Sequence, residues 1–384
     1  RIANFSLIDD MRPCLLVMLL LCFSVMLHAQ EADYMPITAE NITQLQSVQR
    51  LNFDSITIPY ELTDMLDNPE PSVNLGWFVY APLSDRFLLL DTNNRLYAVT
   101  SDGEVTDVVE NVNVIDAVPF GDSMFAVLIT TDDGYAVWYD DFYFDDDARE
   151  REIIAVESDG FPAAIWMTCP ENSDESGAGC YASVELTTST EIAVYNLPPY
   201  ADEAETEISQ QPYAPADDAQ AVVRIGRIPF PYVVTSSLNG MVSLWDLGTE
   251  SLVYNVDNGT ETPSVFGNIN DDATHLIWRD NPNATLYLLD FLTGENQVIA
   301  DLNGAYAQWY FLSNEADVAL AVNLGGEPNV IAWDTSTGER FDLGVYRDCE
   351  RPQPDMTRLT PDGTTLIIGC DSGLDIWRVS DAMP

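Results

Sequence analysis

Val330-Ile-Ala-Trp-Asp-Thr-Ser-Thr-Gly-Glu339 joins a short apolar run ending in Trp-Asp to a tight Thr-Gly-Glu turn. The same arrangement stands 88 residues earlier, in Val242-Ser-Leu-Trp-Asp-Leu-Gly-Thr-Glu250. Between them, Thr285-Leu-Tyr-Leu-Leu-Asp-Phe-Leu-Thr-Gly-Glu295 keeps the pattern with Leu289 in place of Trp. Trp245, Leu289, Trp333 and Trp377 therefore fall 44 residues apart. A beat of that length, built from short strand patterns and turns, marks an array of repeated β-units and excludes a mixed α/β enzyme.

Each repeat reads as strand, turn, strand, turn. Around Trp245 these are Tyr232 to Ser236, the hairpin signal Asn239-Gly240, Met241 to Leu247, and Ser251 to Val256. The next repeats give Thr274 to Arg279, Thr285 to Phe291 and Gln297 to Leu302; then Val318 to Asn323, Asn329 to Thr335 and Arg340 to Gly344. The last gives Thr364 to Gly369 and Leu374 to Val379, after the turn Thr360-Pro-Asp-Gly363. The first half carries equivalent strands at Val99, Tyr139 and Tyr195 with looser spacing. Its extra length lies in loops at 140–151, 170–179 and 198–218.

Seven third strands are counted this way, and the last repeat ends at Pro384 without a fourth. An unpaired edge invites aggregation. The expectation is an all-β, seven-bladed β-propeller closed by an N-terminal strand that completes the last blade, from Leu45 to Leu51 or from Ser55 to Ile58. The domain reading is upstream residues and a cleaved signal peptide over 1–29, a lead-in over 30–44, and a single propeller domain over 45–384.

Val242-Ser-Leu-Trp-Asp246, Val330-Ile-Ala-Trp-Asp334, Leu374-Asp-Ile-Trp-Arg378 and the Thr360-Pro-Asp-Gly363 turn resemble the WD-repeat propellers in an exported bacterial form, as does the lead-in from Ile37 to Leu45. The resemblance covers most of 37–384 and is densest after residue 230. It implies a rigid platform for protein or peptide partners without chemistry of its own. The Gly-His dipeptide of that family is absent, so its His-centred network is not carried over.

Charge narrows the partners. The chain has 63 acidic and 15 basic residues, a net charge of −48, and contains no Lys. Such a surface repels nucleic acid and anionic lipid. It suits a cationic partner, bound cations or a saline setting, or is simply an acidic soluble surface. The sharpest acidic cluster runs from Asp140 to Asp147, with Asp145, Asp146 and Asp147 as weak metal candidates for Ca²⁺, a hard cation that takes oxygen ligands. A solvated acidic loop is the competing reading. No other cofactor is expected.

Met11-Arg12 followed by the apolar run Leu15 to Leu27 fits a signal-peptide core and is too short to span a bilayer. A secreted or periplasmic mature chain, without a membrane span and monomeric, is expected. Export makes Cys169, Cys180, Cys349 and Cys370 disulfide candidates; four cysteines permit three pairings, among them Cys169 with Cys180 and Cys349 with Cys370.

Enzymatic readings are weaker. Carboxylate pairs abound in so acidic a chain and carry no information. A Ser-His-Asp triad would need His275, and no Gly-x-Ser-x-Gly elbow exists. The repeated aromatics read as core, and Asp246, Asp290 and Asp334 as turn-tying residues. The functional expectation is a non-catalytic protein- or peptide-binding scaffold, with individuality in the three long loops. The alternative is a hydrolase or lyase using carboxylates at the channel mouth, with or without a divalent ion.

Overall fold

The structure is a computed structural model; it describes residues 35–56, 58, 75–82, 84–120, 124–131 and 134–140, strand segments between 152 and 280, and 284–302, 307–323, 330–344, 352–360, 362–370 and 372–379. The fold is all-β. The helical elements among the described residues are two 3-10 turns, Ile42–Gln44 and Phe53–Ser55. Residues Met35–Pro384 form one unit.

The strand β1 (Leu45–Asn52) comes first. The first sheet follows as β2 (Leu75–Ala81), β3 (Arg86–Asp91), β4 (Leu96–Thr100) and β5 (Val105–Val109). The second is β6 (Val114–Phe120), β7 (Met124–Thr131), β8 (Gly134–Asp140) and β9 (Glu152–Val156). The third is β10 (Phe161–Thr168), β11 (Tyr181–Thr187), β12 (Glu191–Leu197) and β13 (Gln211–Pro212). The fourth is β14 (Val222–Arg224), β15 (Tyr232–Ser237), β16 (Met241–Asp246) and β17 (Ser251–Asp257). The fifth is β18 (Val265–Ile269), β19 (His275–Asp280), β20 (Thr285–Asp290) and β21 (Asn296–Asp301). The sixth is β22 (Ala307–Leu312), β23 (Val318–Asn323), β24 (Val330–Asp334) and β25 (Arg340–Gly344). The seventh is β26 (Pro352–Leu359), β27 (Thr365–Cys370) and β28 (Gly373–Val379), with β1 added outside β28.

All these sheets are antiparallel, and strands neighbour one another in chain order except where β1 joins β28. That register runs from Leu45 opposite Val379 to Asn52 opposite Gly373. Of the two closing segments read from the sequence, the first supplies the strand. Ser55 lies instead in a 3-10 turn.

Among the described residues, six apolar seams join neighbouring sheets. Leu244 meets Trp278 and Leu289 between the fourth and fifth sheets. Ile331 and Trp333 meet Leu286 and Ile299 between the fifth and sixth. Val330 and Leu320 meet Leu366 and Trp377 between the sixth and seventh. Leu51 and Ile376 meet Phe87 and Tyr97 between the seventh and first. Phe125 and Trp138 meet Leu88 and Val79 between the first and second. Tyr139 and Leu128 meet Val184 and Ile165 between the second and third.

Strands covered on both faces are mostly apolar, and β23, β27 and β28 are buried at every position. Asp375 and Arg378 are buried with the rest of β28 and carry their own hydrogen bonds. The lead-in does not stand apart: Ile37 and Ile42 are buried against the sixth and seventh sheets.

Bulges recur at both borders of the sheets. The pairing of the first two strands slips by one residue at Leu75/Trp77, Val114/Asp116, Pro162/Ala164 and Ala307/Trp309. Outer strands slip at Ser47/Gln49 and opposite Ala98/Val99, Leu244/Trp245, Leu286/Tyr287 and Val330/Ile331. A bulge bends a strand and breaks the even row of backbone groups, which blunts an open edge against unwanted pairing.

Candidate functional site: the turns that keep the beat and the seam between the chain ends

The residues that keep the 44-residue beat are structural. Leu289, Trp333 and Trp377 are buried in the seams, as are Val99 and Tyr139 in the first half. Trp245 is the exception, half-buried on β16 opposite the exposed Leu252.

Two of the three aspartates after the beat tie turns, and the turn after Asp246 lies outside the described residues. Asp290 Oδ1 accepts the amides of Leu292 at 2.7 Å and Thr293 at 3.2 Å. Asp334 Oδ1 accepts the amides of Ser336 at 2.8 Å and Thr337 at 3.0 Å, and the Ser336 hydroxyl at 2.6 Å. Hydrogen bonds to a carboxylate favour its charged form. The Ser336 hydroxyl foremost, against some burial, holds the Asp334 carboxyl below its ordinary range. At Asp290 burial pushes upward, but the Thr293 hydroxyl, the turn amides and nearby His275 outweigh it and the carboxyl is lowered.

Gly294 and Gly338 complete these turns at φ 73° and 72°. A Cβ on Gly294 would collide with the Tyr254 hydroxyl of the preceding sheet, so the turn needs glycine both for its left-handed backbone and for its neighbour.

His275 Nδ1 lies 2.9 Å from Thr274 Oγ1, and its backbone amide donates to Asn270 Oδ1 at 2.8 Å. Its carboxylate neighbour among the described residues is the turn-tying Asp290, opposite it in the strand pair. Asp271 and Asp272, the acids nearest it in sequence, lie outside the described residues.

Asp145, Asp146 and Asp147, with the long loops over 141–151, 169–179 and 198–210, also lie outside the described residues, as do Cys169 and Cys349. Cys180 and Cys370 are buried at their strand ends, 1% and 0% exposed. Among the described residues no group of three or more His, Cys, Asp or Glu side chains is placed to hold a metal ion. No helix among them is long and apolar enough to cross a membrane.

One buried polar arrangement among the described residues is not marked by the repeat pattern. Arg378, near the end of β28, is 4% exposed, and its guanidinium sits 5.7 Å from the centroid of the Tyr80 ring on β2. Arg378 Nη2 donates to the Tyr80 hydroxyl and lies 3.4 Å from Asp85 Oδ1; Nε donates to Thr365 Oγ1 at 3.2 Å. The Tyr80 hydroxyl donates in turn to Asp85 Oδ1 at 2.5 Å, and the Ser101 hydroxyl donates to Asp85 Oδ2.

Two further arginines occupy seams. Arg86, 1% exposed, lies 5.9 Å from the Phe125 ring centroid and donates to Thr106 Oγ1 at 3.1 Å. Arg279 hydrogen-bonds Tyr310, whose phenol burial pushes up to about 12 against the pull of that cation. Planar guanidinium groups stack on aromatic faces and keep their charge when buried, so arginine suits these positions. The sequence signal that could have found them is weak: an Arg ending an otherwise apolar strand, as in Leu374-Asp-Ile-Trp-Arg378.

Compared with protein-family models the chain matches none, and no curated protein matches it.

Proposed function

We propose that the seven sheets are the blades of a seven-bladed, WD-repeat-like β-propeller, and that the protein is an exported, non-catalytic scaffold for protein or peptide partners. The ring reading is supported by the run of six seams, which orders the sheets four-five-six-seven-one-two-three. A seventh contact, between the third and fourth sheets, would close it. The observation that carries the scaffold reading is the structural employment of the repeated residues. Trp333 and Trp377 fill seams, and Asp290 and Asp334 tie turns, which leaves recognition to loops held on a rigid frame.

Export is supported by cysteine chemistry. Cys180 and Cys370 are buried, each beside a strand that runs toward another cysteine in the sequence. The register Thr168 opposite Tyr181 brings its two strands to within one residue of Cys169 and Cys180. The register Pro352 opposite Cys370 ends three residues from Cys349. These registers favour Cys169–Cys180 and Cys349–Cys370 over the other pairings.

With a net charge of −48, the partner is cationic. The test is titration of a fluorescent Arg-rich peptide and a neutral Gly-Ser peptide into the mature protein at physiological salt. The same titration follows after residues 141–151 or 198–210 are replaced by Gly-Ser of equal length. Specific binding of the Arg-rich peptide, weakened at least about tenfold by one replacement, is expected. Equal affinity across all variants, or none at physiological salt, overturns the loop-borne scaffold.

A further inference from the structure

The N-terminal segment over residues 35–56 lies as a strap across three sheets. The Ala39 amide donates to Asp317 Oδ2 beside the sixth sheet at 2.8 Å. The Ser47 hydroxyl donates to Asp375 Oδ1 of the seventh at 2.5 Å. Gln49 Nε2 donates to the Ser101 carbonyl of the first at 2.8 Å. Ser101 is also bound to Asp85, through its amide to the Asp85 carbonyl at 3.1 Å and through its hydroxyl to the carboxylate. Asp85 holds a left-handed backbone at φ 50°, which a residue other than glycine keeps only where its surroundings fix it. Those surroundings are Tyr80, Ser101 and Arg378.

One continuous chain of hydrogen bonds therefore runs from Gln49 through Ser101, Asp85 and Tyr80 to Arg378 and Thr365. It joins the strap, the first sheet and the strand β28 on which the strap is laid. We propose that this network is a latch that makes the strap and the seam between the seventh and first sheets open in a single cooperative step. Detaching β1 removes Gln49 from Ser101 and uncovers the apolar seam beneath Leu51. Opening the seam strips Tyr80 and Asp85 from a guanidinium that is 4% exposed. Gln49 ties the strap to the same Ser101 that holds Asp85, and a buried guanidinium left unpaired is costly. Arg378 is thus a positioning residue for the closure of the chain ends. The inference rests on the closed-ring reading and goes beyond it.

The test is native-state hydrogen exchange with mass spectrometry on the mature chain, following peptides over 45–52, 75–91 and, as a control, 114–140. In the unsubstituted protein, 45–52 and 75–91 share one opening equilibrium. Arg378→Met accelerates both by the same factor, roughly tenfold or more, and leaves 114–140 unchanged. Gln49→Ala, at the half-exposed end of the network, gives the same paired acceleration on a smaller scale and decides the matter if Arg378→Met does not fold. Acceleration of 45–52 alone, or of neither, overturns the latch. Deletion of 35–56 tests the closure itself: a soluble, cooperative fold after that cut refutes the ring reading, while aggregation of the deletion variant together with separate opening of 45–52 and 75–91 in the undeleted mature chain refutes only the latch.

Discussion

Leu51→Ala measures what the strap contributes. Leu51 is 1% exposed on β1 and packs in the seam formed with Phe78, Phe87, Leu374 and Ile376. The substitution removes three carbons. At about 0.8 kcal/mol for each buried methylene, transfer alone accounts for about 2.4 kcal/mol. The cavity adds to this, because β1 is pinned by its ladder with β28 and cannot collapse inward, so a total of about 3–4 kcal/mol is expected. Val48→Ala is the internal control. Val48 sits in the β1 bulge at 45% exposure, where truncation costs about 0.5 kcal/mol or less. Urea unfolding followed by tryptophan fluorescence, with m held common to both variants, reads the difference as a shift in midpoint. The reasoning is refuted if Leu51→Ala moves the midpoint no further than Val48→Ala.

Other outcomes follow from the turns, the ring and the charge. Asp334 has a folded pKa below its unfolded value, so its turn stabilises the fold above the ordinary carboxylate range and loses that contribution as pH falls through the folded value. Asp334→Ala is expected to lower stability by about 1 kcal/mol at pH 7 and to converge with the unsubstituted protein in acid; a constant gap from pH 7 to pH 2 would count against it. Small-angle scattering of residues 35–384 should give a radius of gyration of about 20 Å, and a clearly larger value would indicate an open arc of sheets. Thermal melting should rise with added NaCl, because salt screens the repulsion of a −48 chain; a salt-independent melting temperature would show that the charge is already compensated. Calorimetric titration of the desalted protein with Ca²⁺ tests Asp145, Asp146 and Asp147, with no heat at millimolar ion retiring them.

What was legible in the sequence was local or periodic. Thr-Gly-Glu and Asn-Gly turns place strand ends to within a residue or two, and Val318–Asn323 and Arg340–Gly344 were read at their observed bounds. The strand that joins β28 was legible because Leu45 to Leu51 carries a strand pattern ahead of the first repeat. The bulges were not legible, since slippage depends on how two strands meet. The Arg378–Tyr80 contact joins residues 298 apart and lies outside any repeat. The half-burial of Trp245 escaped notice for a related reason: its position in the beat equals that of Trp333, and only its surroundings differ. The candidate binding loops lack any period, so composition was all they offered.

The placement of β1 also sets an order of events. The strand β1 leaves the ribosome well before its partner β28, Leu45 before Val379, and at 5–20 residues per second those partners emerge on the order of tens of seconds apart. Until then Leu45, Leu51 and Phe53 have no seam to enter. Contacts so distant in the chain make folding slow. The maturing protein must spend that interval as an incomplete array with an apolar leading end, and its exposure to aggregation is concentrated there.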